Sequence, residues 1–270
     1  MNETPVTGET SAMPIEMRGV AVGAGEEPDF IVLNDVNWSV AAGEFWVIGA
    51  PHHSGKSDLL MTTAGLMPPV GGSYKFYGKK TRIFDESRLA DRLRMGIVFE
   101  QSQLFHYLTV GESIALPLQY HQNLKEDEAM AAIDDLLHAT DLKPLADALP
   151  SNLPQNWQKR AGLARALALR PDILLADNPL GALDSRHSRW WRRFLDELSR
   201  GHKWLNEKPL TIVATTDDFR PWRGSRLKFA LLKEKNFVPL GSWNDLLSSD
   251  EPLVKELLTA PVLAVEEEES

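Results

Sequence analysis

The stretch GAPHHSGKSD, residues 49–58, contains part of a phosphate-binding loop. In the pattern G-x-x-x-x-G-K-[S/T], glycines let backbone N–H groups turn towards phosphates, the lysine reaches the terminal phosphates and the hydroxyl binds Mg²⁺. Gly55, Lys56 and Ser57 match the second half of this pattern. Ala50 replaces the first glycine, and Gly49 could serve only in a loop with one extra residue. The stretch therefore predicts binding of a phosphate-bearing ligand through an altered first turn.

Further polar residues follow two apolar runs. Asp177 closes the run DILLA, and Thr216 follows the run LTIVAT. Such continuous runs are typical of strands buried on both faces of a parallel sheet. A third run, FWVI, leads directly into the loop. Because ligands bind at the carboxyl ends of parallel strands, we expect Lys56, Ser57 and Asp177 to meet there as a nucleotide and metal site.

The elements that must position these residues alternate between strand and helix. Residues 57–67 are predicted to form the helix after the loop, whereas 109–168 contain no strong strand pattern. Apolar residues at helical spacing over 126–142 predict one amphipathic helix. The fold class is therefore α/β, with a helical lobe inserted into a sheet domain.

Composition restricts the possible partners. The chain has 270 residues, 43% of them hydrophobic, and a formal charge of −9, which disfavours direct nucleic-acid binding. It has no cysteine, and we identify neither a signal peptide nor an apolar run of about 20 residues, so we expect a soluble protein. The basic segment 186–193 is interpreted as a solvated helix face, with a nucleic-acid or lipid-headgroup contact as the alternative.

Five blocks in order resemble the nucleotide-binding subunits of ABC transporters: VNWSVAAGE, the loop, GIVFEQSQLFHYLTVGESIALPL, RAGLARALALRPDILLADNPLGALD and TIVATTDDF. The resemblance implies a P-loop NTPase fold, an ABC-type nucleotide-binding domain with an inserted helical subdomain. It implies a domain over 14–260, with a sheet core at 14–100 and 169–240, a helical subdomain at 101–168 and a C-terminal helical segment at 241–260. Residues 1–13 and 261–270 are then tails.

The segments LFHYLTVGESIALPL and GSWNDLLSSDEPLVKELLTA look like those of Mla/Mce-type phospholipid-transport ATPases, with other ABC substrates as the alternative. The family implies ATP and Mg²⁺ as cofactors, a second nucleotide-binding subunit and a membrane permease. The chain would then be cytoplasmic and peripheral on the inner face of the membrane. The permease would dock near Leu104, Phe105, Tyr107 and Leu108, unless these residues are ordinary lobe core.

The resemblance also implies a set of site residues. Phe30 is expected to stack on adenine, although a core position is the alternative. Nucleotide contacts are expected from Gly49, Ala50, Pro51, His52, His53, Ser54, Gly55, Lys56, Ser57 and Asp58. Metal contacts are expected from Ser57, Glu100 and Asp177. The signature segment facing the partner's ATP is Leu153, Pro154, Gln155, Asn156 and Trp157, and Asp184 belongs to the loop that crosses the dimer interface.

Several positions depart from the family pattern. His53 replaces a glycine, Glu100 a glutamine, Asn178 the catalytic glutamate and Thr216 the histidine that contacts the γ-phosphate. LPQNW replaces the signature LSGGQ.

These departures affect the chemistry more than the scaffold. An amide cannot take a proton from water, so we expect impaired or absent hydrolysis. Charged His52 and His53 would strengthen phosphate binding below about pH 6.5, unless both rings face solvent. A catalytically inactive scaffold or regulatory subunit is the alternative function, and a P-loop kinase is disfavoured.

Overall fold

Ten strands in the described part of the chain form two sheets. The computed structural model describes residues 13–25, 27, 30–80 and 89–259. The larger sheet has the strand order β10-β9-β3-β8-β7-β6, and all its pairs are parallel except β9 with β10. Its strands are β3 (Phe45–Gly49), β6 (Met95–Val98), β7 (Ile173–Ala176), β8 (Thr211–Thr216), β9 (Leu227–Lys233) and β10 (Asn236–Gly241).

The smaller sheet is antiparallel and has the order β2-β1-β4-β5. Its strands are β1 (Ile15–Gly23), β2 (Ile31–Val40), β4 (Pro69–Phe76) and β5 (Lys79–Lys80). In β2, side chains alternate between buried and exposed over much of the strand, as expected where only one face is covered.

The larger sheet is buried on both faces. In β3, Phe45 and Val47 pack in the core that includes the helical lobe, whereas Trp46 and Ile48 pack in the core shared with the smaller sheet. Successive strand residues point to opposite faces, so two cores require apolar side chains at every position. This explains the continuous apolar runs of β3, β7 and β8.

Nine α-helices lie in the described residues. They are α1 (Lys56–Thr63), α2 (Leu89–Arg92), α3 (Val110–Gln122), α4 (Glu126–Ala132), α5 (Asp134–Ala139), α6 (Gln155–Leu167), α7 (Ser185–Arg200), α8 (Trp243–Leu247) and α9 (Pro252–Thr259). Helices α3 to α6 fall within 109–168, where the structure has no strand, as the sequence predicted.

Two helix predictions need correction. The helix after the loop ends at Thr63, not at residue 67, and is followed by Gly65 with φ of 69°. The single helix predicted over 126–142 is wrong. It is interrupted at Ile133, where φ is −95° and ψ is 0°, and a second helix starts at Asp134.

The division into sheet core, helical subdomain and C-terminal segment remains our proposal for the domain organisation. The C-terminal helices pack on the sheet core, because Leu246, Val254 and Leu257 are buried in the same cluster as β3. Within the described ranges, no helix is both long and apolar enough to cross a bilayer.

The register of the larger sheet places the predicted polar residues together. Gly49 pairs with Thr216, Ala176 pairs with Ala214, and Val98 pairs with Ala176. The carboxyl ends of β3, β6, β7 and β8 therefore lie at one edge, where open α/β sheets bind ligands.

Candidate functional site

The phosphate-binding loop connects β3 to α1 and contains two left-handed residues. His53 has φ of 58° and Gly55 has φ of 87°. This conformation costs a residue with a side chain about 1–2 kcal/mol, and histidine is among the less penalised types. The loop keeps the left-handed backbone at the position where the sequence replaces a glycine.

Gly49 and Ala50 lie at the end of β3 and not in the turn. The Ala50 N–H donates to the Thr216 carbonyl at 3.0 Å. A Cβ on Gly49 would lie 2.1 Å from Cζ of Phe219. Gly49 is therefore required by the close packing of Phe219, and the loop with one extra residue is not the arrangement in this structure.

Lys56 is buried at the start of α1 and points back along the loop. Its Nζ donates to the carbonyls of Ala50 and Pro51 at 2.6 and 2.9 Å. Burial lowers the pKa of Lys56, while nearby carboxylates, Asp217 foremost, act in the opposite direction. The loop thus carries a partly desolvated cation, which suits a phosphate.

Ser57 and Asp177 form the metal-binding edge of the site. The Ser57 Oγ donates to Asp177 Oδ2 at 2.6 Å, and the Thr215 Oγ1 donates to Asp177 Oδ1 at 2.7 Å. Among the described residues no three His, Asp or Glu side chains converge as a metal cage. Mg²⁺ commonly takes one or two carboxylates plus phosphate oxygens and water, so the Ser57 and Asp177 oxygens fit this ion.

Asn178 follows Asp177 and is buried against two carboxylates. Its Nδ2 donates to Glu100 Oε1 at 2.7 Å and lies 3.4 Å from Asp217 Oδ2. Its Oδ1 is buried without a hydrogen-bond partner among the described residues. The amide is therefore used as a donor, and its carbonyl oxygen cannot serve as a general base at neutral pH.

The Thr216 hydroxyl also forms hydrogen bonds within the protein. Its Oγ1 accepts from Trp222 Nε1 at 3.0 Å and donates to the Asp218 carbonyl at 2.8 Å. Because Thr216 is buried, this hydroxyl supports the loop after β8.

Lys159 is a site residue that the sequence interpretation missed. It is 2% exposed, and its Nζ donates to the carbonyls of Asn178 and Gly181 at 3.2 and 2.7 Å. Burial lowers its pKa, and the charge of Glu100 opposes that change. The segment QKR is typical of a solvated helix face; the only available signal was the spacing of four residues from buried Leu163.

The signature segment begins α6. Pro154 is the N-cap and provides no side-chain hydrogen bond. Asn156 Nδ2 lies 3.2 Å from His187 Nδ1, and the Trp157 ring lies 4.4 Å from the Arg160 guanidinium. The segment therefore packs its largest side chain against its own chain, while Pro154 and Gln155 stay exposed.

Asp184 caps the N-terminus of α7. Its Oδ1 accepts from the backbone N–H groups of His187 and Arg186 at 2.9 and 2.8 Å. The bonds from His187 and Arg186 lower the pKa of the Asp184 carboxyl. The predicted interface residue thus has a clear structural role within one chain.

Three residues predicted to contact the nucleotide are exposed or half-buried. Phe30 is 55% exposed, so the core alternative is wrong, and Lys235 Nζ lies 4.8 Å from its ring centre. His52 Nε2 lies 3.2 Å from Asp217 Oδ2 although its side chain is 60% exposed. Asp58 Oδ1 accepts from the Gly25 N–H at 2.9 Å, and burial raises the pKa of Asp58.

A phosphate loop at the carboxyl edge of a mainly parallel sheet, joined to a helical lobe, defines an ATP-binding-cassette fold. The family model described as ABC transporter matches residues 33–181, and the chain belongs to this family. The predicted fold class is confirmed. ATP-binding domains of this family bind ATP with Mg²⁺, the two cofactors predicted from the sequence.

The relatives support the same assignment. The chain is 35% identical over 209 residues to the sulfate/thiosulfate import ATP-binding protein CysA of Pseudomonas aeruginosa, covering 76% of this chain and 60% of that one. It is 31% identical over 234 residues to the putative ABC transporter ATP-binding protein TTE0246 of Caldanaerobacter subterraneus, covering 84% and 92%. The chain spans only 47% to 60% of the length of the sulfate/thiosulfate relatives that it matches.

A solved structure agrees with this fold. The ATP-binding cassette MJ0796, in a dimeric post-hydrolysis state with ADP and phosphate, superposes with a TM-score of 0.71 at 30% identity. The match covers 82% of this chain and 95% of MJ0796.

Proposed function

We propose that this chain is an ATP-binding subunit of an ABC transporter and that it hydrolyses ATP slowly or not at all. The observation that supports this proposal is that the site keeps the residues for binding ATP but lacks the residue for hydrolysing it. Lys56 lies within the loop and the Ser57 hydroxyl lies beside Asp177, an arrangement that supports binding of phosphate and Mg²⁺. Asn178, which follows Asp177, instead donates its amide to Glu100. The groups for binding are retained, and the group expected to activate water is missing.

The missing base sets the size of the expected defect. A positioned general base increases a rate by about 10²–10⁴-fold. Losing it therefore raises the activation barrier by roughly 3–5 kcal/mol. Glu100 is a carboxylate in the same site, but its Oε1 already accepts from Asn178 Nδ2. Bound Mg²⁺ would supply charge stabilisation for the phosphates, with Ser57 and Asp177 as its protein ligands.

Nucleotide binding tests the first half of the proposal. We expect purified wild type to bind MgATP and Lys56→Ala to lose measurable binding, because the buried ammonium is the main phosphate contact. Lys203→Ala, which removes an exposed lysine from another surface, is the matched control and should bind as wild type does. Unchanged affinity in Lys56→Ala would show that the site is not used.

A non-catalytic scaffold is the second candidate. The signature segment favours it, because Pro154 has no N–H to present to a partner's nucleotide and Trp157 is packed against Arg160. The two candidates differ in one measurement. A transport subunit releases phosphate when its permease is present, even slowly, whereas a scaffold assembles the complex without turnover.

We also propose a membrane permease and a second cassette as partners, which would place the chain on the inner face of a membrane. Phe105 and Tyr107 support this docking region: they are 44% and 64% exposed, with ring centres 5.4 Å apart. Recovery of the native protein with membranes should fall in Phe105→Ser with Tyr107→Ser. Val238→Ser, an exposed change on β10, is the control. Recovery of wild type only as a free monomer contradicts the docking proposal.

The transported substrate belongs to the same proposal. Lipid transport rests on the segments 104–118 and 241–260 alone, and the relatives add no support, since those named for a substrate are sulfate/thiosulfate import ATP-binding proteins. We therefore propose transport of a substrate chosen by the permease, with lipid as one hypothesis. Phospholipid that co-purifies with the intact complex would favour lipid, and sulfate-dependent stimulation of phosphate release would favour the relatives' substrate.

A further inference from the structure

A cavity of about 650 Å³ opens between the helical lobe and α7. Trp157 and Arg160 of α6 and Asp141 after α5 form one wall. The other wall is α7, which contributes Arg186, His187, Arg189, Trp190 and Arg193. The arginines at 186, 189 and 193 follow helical spacing, so they share one face of α7. The basic segment is thus the wall of a cavity and not simply a solvated helix face.

Positive charge is concentrated in this cavity although the chain has a formal charge of −9. Its lining includes four arginines and a single carboxylate, Asp141. Asp141 pairs with Arg160 at 3.0 Å, and Arg193 pairs with Glu197 on its own helix at 3.5 Å. Arg186 and Arg189 form no ion pair with any carboxylate in the described ranges. At least two arginine charges therefore remain without a protein counterion there.

Arg160 is the most enclosed of the four. Its side chain is 5% exposed, and its guanidinium lies 4.4 Å from the Trp157 ring centre and 3.7 Å from that of Trp190. Its Nε is buried with no acceptor among the described residues. Burial lowers the pKa of Arg160, and the charge of Arg186 acts in the same direction. Arg160 thus places a fixed positive charge in the cavity wall.

We propose that this cavity binds a phosphate-bearing anion. Guanidinium groups donate paired N–H bonds that match phosphate oxygens, which explains why arginine is used for this purpose. Arg186 and Arg189 provide accessible donors, Arg160 adds a fixed positive charge, and each wall contributes one tryptophan. The phosphate could belong to a free polyphosphate or to an anionic lipid headgroup. This site is separate from the phosphate loop and, apart from Trp157, uses none of the residues assigned to ATP binding, so it extends beyond the proposed ATPase function.

Binding of inorganic tripolyphosphate tests the proposal in the full chain carrying Lys56→Ala, which removes the main phosphate contact of the loop. Arg186→Gln with Arg189→Gln removes two exposed charges from the cavity. Arg18→Gln with Lys203→Gln removes two exposed charges elsewhere and is the matched control. We expect the affinity of the cavity variant to fall roughly tenfold or more and the control to match its parent. Circular dichroism should show equal helix content in all three proteins.

Vesicles distinguish the two sources of phosphate. The same proteins are tested for sedimentation with phosphatidylglycerol vesicles and with phosphatidylcholine vesicles. Loss of tripolyphosphate binding in the cavity variant supports a free ligand, and loss of phosphatidylglycerol binding alone supports a headgroup. Equal binding by cavity and control variants, or no binding of either probe by the parent, overturns the proposal. If Lys56→Ala retains ATP binding, the nucleotide-site assignment fails, while the difference between the two variants still tests the cavity.

Discussion

Asn178 and Glu100 form an amide–carboxylate pair at the metal-binding edge of the site, with 2.7 Å between Nδ2 and Oε1. The substitution Asn178→Glu would introduce the family's glutamate and place its carboxylate directly against that of Glu100. The Asp217 carboxylate is also close to this position. Like charges this close disfavour each other's ionisation. We therefore expect no gain in phosphate release and a loss of about 1–3 kcal/mol in the free energy of unfolding at neutral pH.

A double variant separates repulsion from loss of the amide. Glu100→Gln with Asn178→Glu exchanges the two chemical types and keeps one amide donor facing one carboxylate. Urea unfolding should show that the double variant recovers most of the stability that Asn178→Glu loses. Equal stability of the single variant and wild type would mean that the pair is not formed in solution.

Asp58 gives a prediction with a definite pH dependence. Burial raises the pKa of its carboxyl above the ordinary value of 3.8. Below pH 3.8 both the folded and unfolded states are protonated, whereas above the raised folded value the charge destabilises the folded state. Asp58→Asn keeps an oxygen for the Gly25 N–H, so its thermal midpoint should exceed that of wild type at pH 7. The difference should shrink as the pH falls towards 3.8.

Asp250 provides a control of opposite sign. Its hydrogen bond with exposed Lys255 lowers its pKa, so its contribution is present above 3.8 and is lost as the pH falls through the folded value. Asp250→Asn should be slightly less stable than wild type at pH 7. Higher stability of both variants at pH 7 would indicate a general effect of reducing negative charge.

At the scale of elements, β3 and the loop are held in place by Phe219. The Cβ that Gly49→Ala introduces would lie 2.1 Å from Phe219 Cζ, which the packing cannot accept without movement. We expect a loss of about 1–3 kcal/mol in unfolding free energy. Gly71→Ala in β4 is the matched strand control, because its nearest neighbour, the Ala21 Cβ, lies 3.8 Å away. Equal urea midpoints for both variants would contradict this account of Gly49.

Elements buried on both faces were the easiest to predict from the sequence. Strands β3, β7 and β8 are nearly continuous apolar runs because two cores cover the larger sheet. The antiparallel sheet was not predicted, since β1 and β2 bury mostly alternate residues and contain register shifts. The break at Ile133 was also missed, because apolar spacing continues across it.

At the scale of the whole molecule, contacts between distant segments carried the least sequence signal. The residues of the phosphate loop and Asp177 could be placed together because each follows a strand of the predicted parallel sheet. The buried position of Lys159 and the cavity beside α7 depend on how the helical lobe meets the sheet domain. Charged residues in α6 and α7 have the composition of surface helices, so their roles became visible only in three dimensions.

Slow turnover should persist in any pairing of cassettes. In a homodimer, each ATP would meet Asn178 and Thr216 of one chain and residues 153–157 of the other. An intact partner would leave one site with Asn178 and Thr216 and the other with the altered signature. Reverting a single residue to the family type should not restore hydrolysis, because the effects of catalytic groups that act together are not additive. Thr216 in addition accepts a hydrogen bond from Trp222, which a replacement at this position would disturb.

The decisive comparison is phosphate release by wild type, by Asn178→Glu, and by a chain that combines Glu100→Gln, Asn178→Glu, Thr216→His and LSGGQ at 153–157. All three should be measured with and without the permease, since assembly orders the two sites against each other. We expect the first two to stay well below about 1 s⁻¹, the lower edge of usual enzyme rates. The combined variant alone should gain activity, provided that it folds. Wild-type turnover at or above that rate would make this an active transport ATPase in which Glu100 or another group replaces the missing base.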